Sequence, residues 1–207
     1  THLNTNLVWW PQARAFLGYL ARCSFLLQQG HFVADVCYYY GDQGFNFVPP
    51  KHVDPSLGYG RDYDVTNAEV ILTRTKVHDG RIVLPDGMQY ELLVLPERDD
   101  IDVAVLRKLK RLVCAGATIV GPKPTRSNGL ADYPAGDDQV RQLADELWGD
   151  CDGRNILEHQ HGRGKVVWGR SLQEVLEQRG LGPDFRFVGE QEGTDLDFIH
   201  RRTAEAD

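Results

Sequence analysis

A chain of 207 residues has room for one full domain and part of another. Its 42% hydrophobic and 26% charged content marks a folded chain. A formal net charge of -7 and a pI near 5.5 argue against nucleic acid or an anionic membrane as a partner, and no apolar run approaches the length of a membrane span. The four cysteines, Cys23, Cys37, Cys114 and Cys151, show no C-x-x-C spacing. Reduced thiols packed in the core account for them better than a metal knuckle or a redox pair. The chain opens on Thr1 without Met and reads as an excerpt, so a missing leader says nothing about export.

Pro11 suits the first helical position. Beyond it Phe16, Tyr19, Leu20, Cys23, Leu26 and Leu27 recur at helical spacing, and Gly30 closes the run. An amphipathic helix packed on something large is expected. Ahead of it stand His2, Asn4, Trp9 and Trp10. Indole faces stack on the C–H faces of pyranose rings, so these four can line a sugar pocket. Two buried Trp at a helix entry are the plainer account. Residues 32–40 are β-prone and read as a core strand. Asp42 follows, at the carboxyl end where open parallel sheets collect ligands, although a turn aspartate is the simpler role.

Residues 44–61 form a loop rich in Gly and Pro. Asp62 and Asp64 come next, but two carboxylates fall short of a calcium shell. Thr66 and Glu69 match a capping box, which accounts for Glu69 without catalysis. Residues 81–84 before Pro85-Asp86-Gly87 read as a strand and turn.

The chain is organised around residues 90–124. An apolar run over 90–96 reads as a strand covered on both faces. Val105, Leu106, Leu109, Leu112 and Val113 then repeat at helical spacing, and Gly116 suits the left-handed position after the helix. Arg107, Lys108, Lys110 and Arg111 lie in the helix's second half, where cations complement its dipole. Residues 117–120 form the next strand, completing a right-handed βαβ unit. Farther on, residues 137–148 read as a helix and 150–164 as a polar, mobile loop. His159-x-His161 within that loop is a weak metal signal. Residues 165–169 are a strand. Ser171 and Glu174 make a second capping box whose helix ends at Gly180. Residues 185–188 are a candidate last strand, and 195–202 lead into a further element.

This alternation predicts an α/β fold with an open, mostly parallel sheet flanked by helices. A dinucleotide fold needs G-x-G-x-x-G after its first strand, and the turn beyond Tyr40 lacks it. A glutamine-amidotransferase chemistry needs a nucleophile elbow. The corresponding turn, Val120-Gly121-Pro122-Lys123-Pro124, holds no Cys or Ser, and Cys114 sits on a helix flank. The sheet therefore reads as non-catalytic.

Several of these segments, in order, resemble the bacterial α-L-rhamnosidase-type glycoside hydrolases of family 106. They are Trp9-Trp10, Tyr19-Leu20-Ala21-Arg22-Cys23, Leu26-Leu27-Gln28-Gln29-Gly30 and Val33-Ala34-Asp35-Val36. Tyr63-Asp64-Val65, Asn67-Ala68-Glu69, Leu84-Pro85-Asp86-Gly87, Leu93-Val94-Leu95-Pro96-Glu97 and 116–124 continue the match, and Phe198-Ile199-His200-Arg201-Arg202 ends it.

The resemblance implies a large multidomain enzyme. Residues 1–30 would be the last loop and helix of a (β/α)8 catalytic barrel. Residues 31–189 would be a flavodoxin-like or class I glutamine-amidotransferase-like α/β accessory domain, and 190–207 would enter a β-sandwich. It implies a longer bacterial enzyme, secreted, periplasmic or cytoplasmic, that hydrolyses terminal α-L-rhamnosides with inversion and with calcium. The two carboxylates such chemistry needs would lie upstream, so the resemblance assigns no catalytic residue, metal ligand or cofactor to this chain. Glu69 and Glu97 keep capping and loop roles. His2, Asn4, Trp9 and Trp10 would lie near the sugar. Implied partners are the carbohydrate, reached through the barrel, the flanking barrel and β-sandwich within the same chain, and a second copy in a homo-oligomer. The competing reading is a free-standing, non-catalytic α/β module that binds a small molecule or mediates oligomers.

Overall fold

The structure is a computed structural model that describes residues 4–41, 57–189 and 196–206. It divides into two compact units, residues 1–32 with 201–207, and residues 33–200. Residues 196–200 belong to the α/β unit and residues 201–206 to the N-terminal one.

In the N-terminal unit a 3-10 turn over Trp10–Gln12 contains Pro11 and runs into α1, Ala13–Leu27. Strand β1, His31–Phe32, pairs antiparallel with β13, Arg201–Arg202. Gly30 makes this pairing possible: its φ is +57°, and a Cβ there would run into the Arg202 carbonyl. The Arg201 guanidinium secures the return by donating to the carbonyls of Gln29 at 2.5 Å and Gly30 at 2.7 Å. Only Ala13 of α1 is buried. Phe16, Tyr19 and Leu26 of its apolar stripe are more than half exposed.

The α/β unit opens with β2, Val36–Tyr39, buried along its whole length. Residues 32–40 are thus not one strand. The run breaks at 33–35, where the Asp35 carbonyl accepts from the Glu91 and Leu92 amides. Strand β3 is Tyr63–Thr66. Helix α2, Ala68–Arg74, is capped by Asn67, whose side chain accepts from the Val70 amide. Thr66 closes β3 instead of capping the helix. Strands β4 (Lys76–His78), β5 (Arg81–Val83) and β6 (Gln89–Tyr90) form a small antiparallel sheet. Then come β7, Leu92–Val94, and the short β8, Asp100–Ile101. Asp102 caps α3, Val103–Cys114, by accepting from the Ala104 and Val105 amides. Strand β9 is Thr118–Val120, and β10, Arg126–Ser127, pairs parallel with β8. Helix α4 is Gly136–Trp148.

Residues 150–164 are not a loose loop. Glu158–His161 form β11, which pairs antiparallel with β12, Gly164–Val167. The preceding turn is shaped by the Asp152 carboxylate, which accepts from the amides of Arg154, Asn155 and Ile156. Those bonds hold its pKa far below the usual carboxylate range. Helix α5, Leu172–Gln178, carries the expected capping box of Ser171 and Glu174. Residues 185–188 do not form a strand. Phe185 instead stacks on Phe198 with ring centroids 5.1 Å apart.

The main sheet has the order β11-β12-β9-β7-β2-β3. All its pairings are parallel except the β11–β12 hairpin at one edge. One face buries Val36, Tyr38, Leu92, Val94, Val120 and Val167 against Leu172, Val175 and Leu176 of α5 and against Leu57. Alternate residues Cys37, Leu93, Ile119 and Val166, also buried, point to the other face by the two-residue pleat. There α3 packs on β9 and β12, burying its expected stripe. All four cysteines are free thiols. Cys37 lies within the core, where burial pushes its pKa to about 12.

Candidate functional site

Three places in this chain are candidates for function. The first is the carboxyl end of the parallel sheet. Strand order reverses between β2 and β7, and in open α/β sheets the crevice outside that reversal is where ligands bind. Tyr39, Gly41, Leu95, Pro96, Pro122 and Pro124 line it from the ends of β2, β7 and β9. Among the described residues it encloses a cavity of about 20 Å³, enough for one water and far below the ~300 Å³ where ligand pockets begin.

Its walls explain why. Gly121 has a φ of +152°, and a Cβ there would lie 2.7 Å from Leu95 Cβ. The fully buried Trp148 donates its indole N–H to the Gly121 carbonyl at 3.1 Å. Arg98 also lines it, in a two-pronged pair with buried Asp100, at 2.7 and 3.2 Å. Arg126 pairs with Asp99 beside it, holding the Asp99 carboxyl below the usual range. Asp42 lies outside the described residues.

The second place is the opposite, amino end of the sheet, where sequence spacing gives no warning of a polar cluster. Glu91, buried at 7% exposure, accepts from Arg81 Nε at 2.6 Å and Arg179 Nη2 at 2.7 Å. Arg179 also donates to Thr118 Oγ1 at 3.0 Å. Asp35 stands at the same end. Burial, then the charges of Asp184 and Glu91, lift its carboxyl to about 6, while Arg61 and Arg81 oppose the rise. Two arginines share one carboxylate here, which suits a brace between β5, β7, β9 and the end of α5.

The third place is the aromatic segment of the N-terminal unit. Trp9 and Trp10 come together with ring centroids 6.4 Å apart at 49°. Trp9 is 39% exposed, and Trp10 is half-buried. Asn4 Oδ1 accepts from the Asn6 amide at 2.9 Å, and the Asn4 carbonyl accepts from Leu7. Asn4 therefore shapes the turn that presents the two indoles. His2 lies outside the described residues.

The other sequence candidates are dispersed. Asp62 accepts from the Tyr63 amide, and Asp64 accepts from the Val65 amide and the Tyr90 hydroxyl. Glu69 is exposed in the first turn of α2, and Glu97 is exposed after β7. His159 packs beneath Gly149. No three His, Cys, Asp or Glu side chains converge as a metal-binding group among the described residues.

Comparison with known proteins decides the family. The alpha-L-rhamnosidase model of glycoside hydrolase family 106 matches residues 1–207. The chain belongs to that family. A protein of Formosa agariphila that bears the name "Putative beta-glucuronidase" is 37% identical to this family-106 chain over 209 residues, covering 100% of the chain and 16% of that protein. The solved structure of the rhamnosidase from Novosphingobium sp. PP1Y matches 99% of the chain with a TM-score of 0.84 at 29% identity, and 19% of that rhamnosidase is covered. The chain thus spans less than a fifth of either relative. The two printed names differ in the sugar, so family membership fixes the glycoside-hydrolase class of this segment and leaves its substrate open.

Proposed function

We propose that this segment is a non-catalytic scaffold within a longer family-106 glycosidase, with the α/β unit as its rigid part. The observation that carries the reading is the filled crevice at the strand-order reversal. Among the described residues, the position where an open α/β sheet ordinarily takes a ligand is instead filled by Leu95, Pro96, Pro122, Pro124 and the Arg98–Asp100 pair. The order of the five parallel strands supports a flavodoxin-like or amidotransferase-like assignment. Numbered along the chain, β2, β3, β7, β9 and β12 lie in the order 2-1-3-4-5.

In this reading the longer enzyme hydrolyses terminal α-L-rhamnosides, and its paired carboxylates lie outside this chain. Trp9 and Trp10, held by the Asn4 turn, stack on the sugar together with His2. The indole pair supports that role because Trp9 is 39% exposed beside Trp10. A calcium ion, if the longer enzyme uses one, finds no fitting set of ligands among the described residues, so no step is assigned to it here.

The test is hydrolysis of an aryl α-L-rhamnoside and an aryl β-D-glucuronide by the 207-residue chain beside a longer protein that contains it. The expected result is turnover of the rhamnoside by the longer protein alone. Turnover by the chain itself would overturn the scaffold reading and turn attention to Asp42, Asp62, Asp64 and Glu69. In the longer protein, Trp9→Ala is expected to lower kcat/KM at least tenfold with little change in Tm. Equal losses of both would return Trp9 to a packing role.

A further inference from the structure

We infer that a basic groove on the outer face of the α/β unit is a second saccharide-binding site, for a glycan that carries carboxylate or sulfate groups. Arg107, Lys110, Arg111 and Cys114 fall at i, i+3, i+4 and i+7 of α3, so they share one face. The opposite face carries the buried stripe. Together with Leu143 of α4 and His161 of β11 they line an open groove of about 500 Å³, within the range of small-ligand sites.

Its electrostatics are unbalanced. Lys110 pairs with Glu146, but among the described residues Arg107 donates only to the neutral Gln139 amide oxygen. Arg111 is exposed and donates no side-chain hydrogen bond among the described residues. Three fixed cations therefore face one carboxylate, on a chain whose net charge is -7. Like charges one helical turn apart repel, and the helix dipole alone does not require them to line a concave surface. Lys108 shows the contrast. It lies off the groove and donates to the carbonyls of Leu72 and Thr75.

The fork of Arg111 suits two-pronged binding of a planar carboxylate or of a sulfate. His161 offers a further ring N–H, and Leu143 supplies an apolar patch for the C–H face of a ring. A saccharide, as opposed to any other anion, is chosen on the glycosidase reading above. The site is nonetheless separate from the crevice, with which it shares no lining residue.

The experiment is calorimetric titration of the 207-residue chain with an oligogalacturonate, with a sulfated oligosaccharide and with neutral maltohexaose, at two salt concentrations. At least one anionic oligosaccharide is expected to bind, more weakly at higher salt, while maltohexaose does not. Arg111→Ala should weaken that binding about tenfold. Arg74→Ala, which removes the same charge from a residue paired with Asp86 elsewhere, should leave it unchanged. Circular dichroism checks that both variants fold.

Equal binding of maltohexaose, equal losses in both variants, displacement by acetate or sulfate at the concentration of the oligosaccharide, or no anionic binding at all would each overturn the inference. Because binding is read without turnover, a longer enzyme inactive on both aryl glycosides would leave a positive groove result intact. An empty groove would likewise leave turnover intact.

Discussion

Removing Glu91 tests the buried ionic brace at the amino end of the sheet. Its side chain is 9% exposed, and its arginine partners differ: Arg179 is 26% exposed and Arg81 is 46% exposed. Breaking a fully buried pair by deleting one partner costs about 3–5 kcal/mol, because the other charge stays uncompensated. The Arg81 contact is close to a surface pair and contributes under about 1 kcal/mol. The Arg179 contact is nearer the buried limit, and Arg179 can still donate to Thr118. We therefore expect Glu91→Ala to destabilise the chain by about 2–3 kcal/mol. For a protein of this size that is a fall of roughly 5–10 °C in Tm. Urea unfolding followed by far-UV circular dichroism at neutral pH measures it. The Glu91→Gln/Arg179→Gln double-mutant cycle should give a coupling of about 1–2 kcal/mol. A loss below about 0.5 kcal/mol in Glu91→Ala, or additive single variants, would refute the brace.

Asp35 gives a pH signature. Its folded pKa, about 6, lies above the ordinary 3.8, so the folded chain holds this proton more tightly than the unfolded one. The contribution to stability is complete below about pH 4 and is lost as pH rises through 6. A two-unit shift corresponds to about 3 kcal/mol, and screening at this half-buried position lowers the expectation to about 1–2 kcal/mol. Asp35→Asn should therefore gain stability over the native chain between pH 4 and pH 6.5 in urea titrations; a difference independent of pH would refute it. Trp148→Phe deletes the donor to the Gly121 carbonyl and part of a fully buried side chain. It should lower stability by about 2–3 kcal/mol, read as a lower urea midpoint, and an unchanged midpoint would contradict a supporting role for Trp148.

The parts of this fold that are local in sequence were legible. The stripe of α3, the capping box at Ser171 and the buried runs of β7 and β9 follow from periodicity and short-range hydrogen bonds. Errors came where long-range contacts override local preference. Phe32 to Tyr40 has the composition of one strand, yet Asp35 hands its carbonyl to Glu91 and Leu92 and splits it. Glu158 to His161 lacks apolar residues but becomes a strand because β12 offers an edge. Phe185 to Val188 has strand-like composition but finds no partner strand, and Phe185 stacks on Phe198 instead. The lack of a Cys or Ser nucleophile in the turn at Gly121 was readable directly, whereas its closure by Leu95 was not. The Glu91 brace joins residues up to 88 positions apart, and the groove joins α3 to His161. No spacing rule announces either.

The chain passes between its two units twice, at 32/33 and 200/201, and the Val33 amide donates to the His200 carbonyl at 3.0 Å. The α/β unit thus begins and ends at one point, so it is a closed excursion inserted into the N-terminal unit. This has a consequence for the order of folding. Bringing β1 to β13 with everything between them still unfolded would close a very long loop, costing about 4–5 kcal/mol in chain entropy by logarithmic loop scaling. Two paired residues a side cannot offset that. Once the α/β unit has formed, its own ends already meet, and the strand pair closes at almost no entropic cost. The short β1–β13 ladder is therefore a late event that depends on the integrity of a sheet it does not belong to.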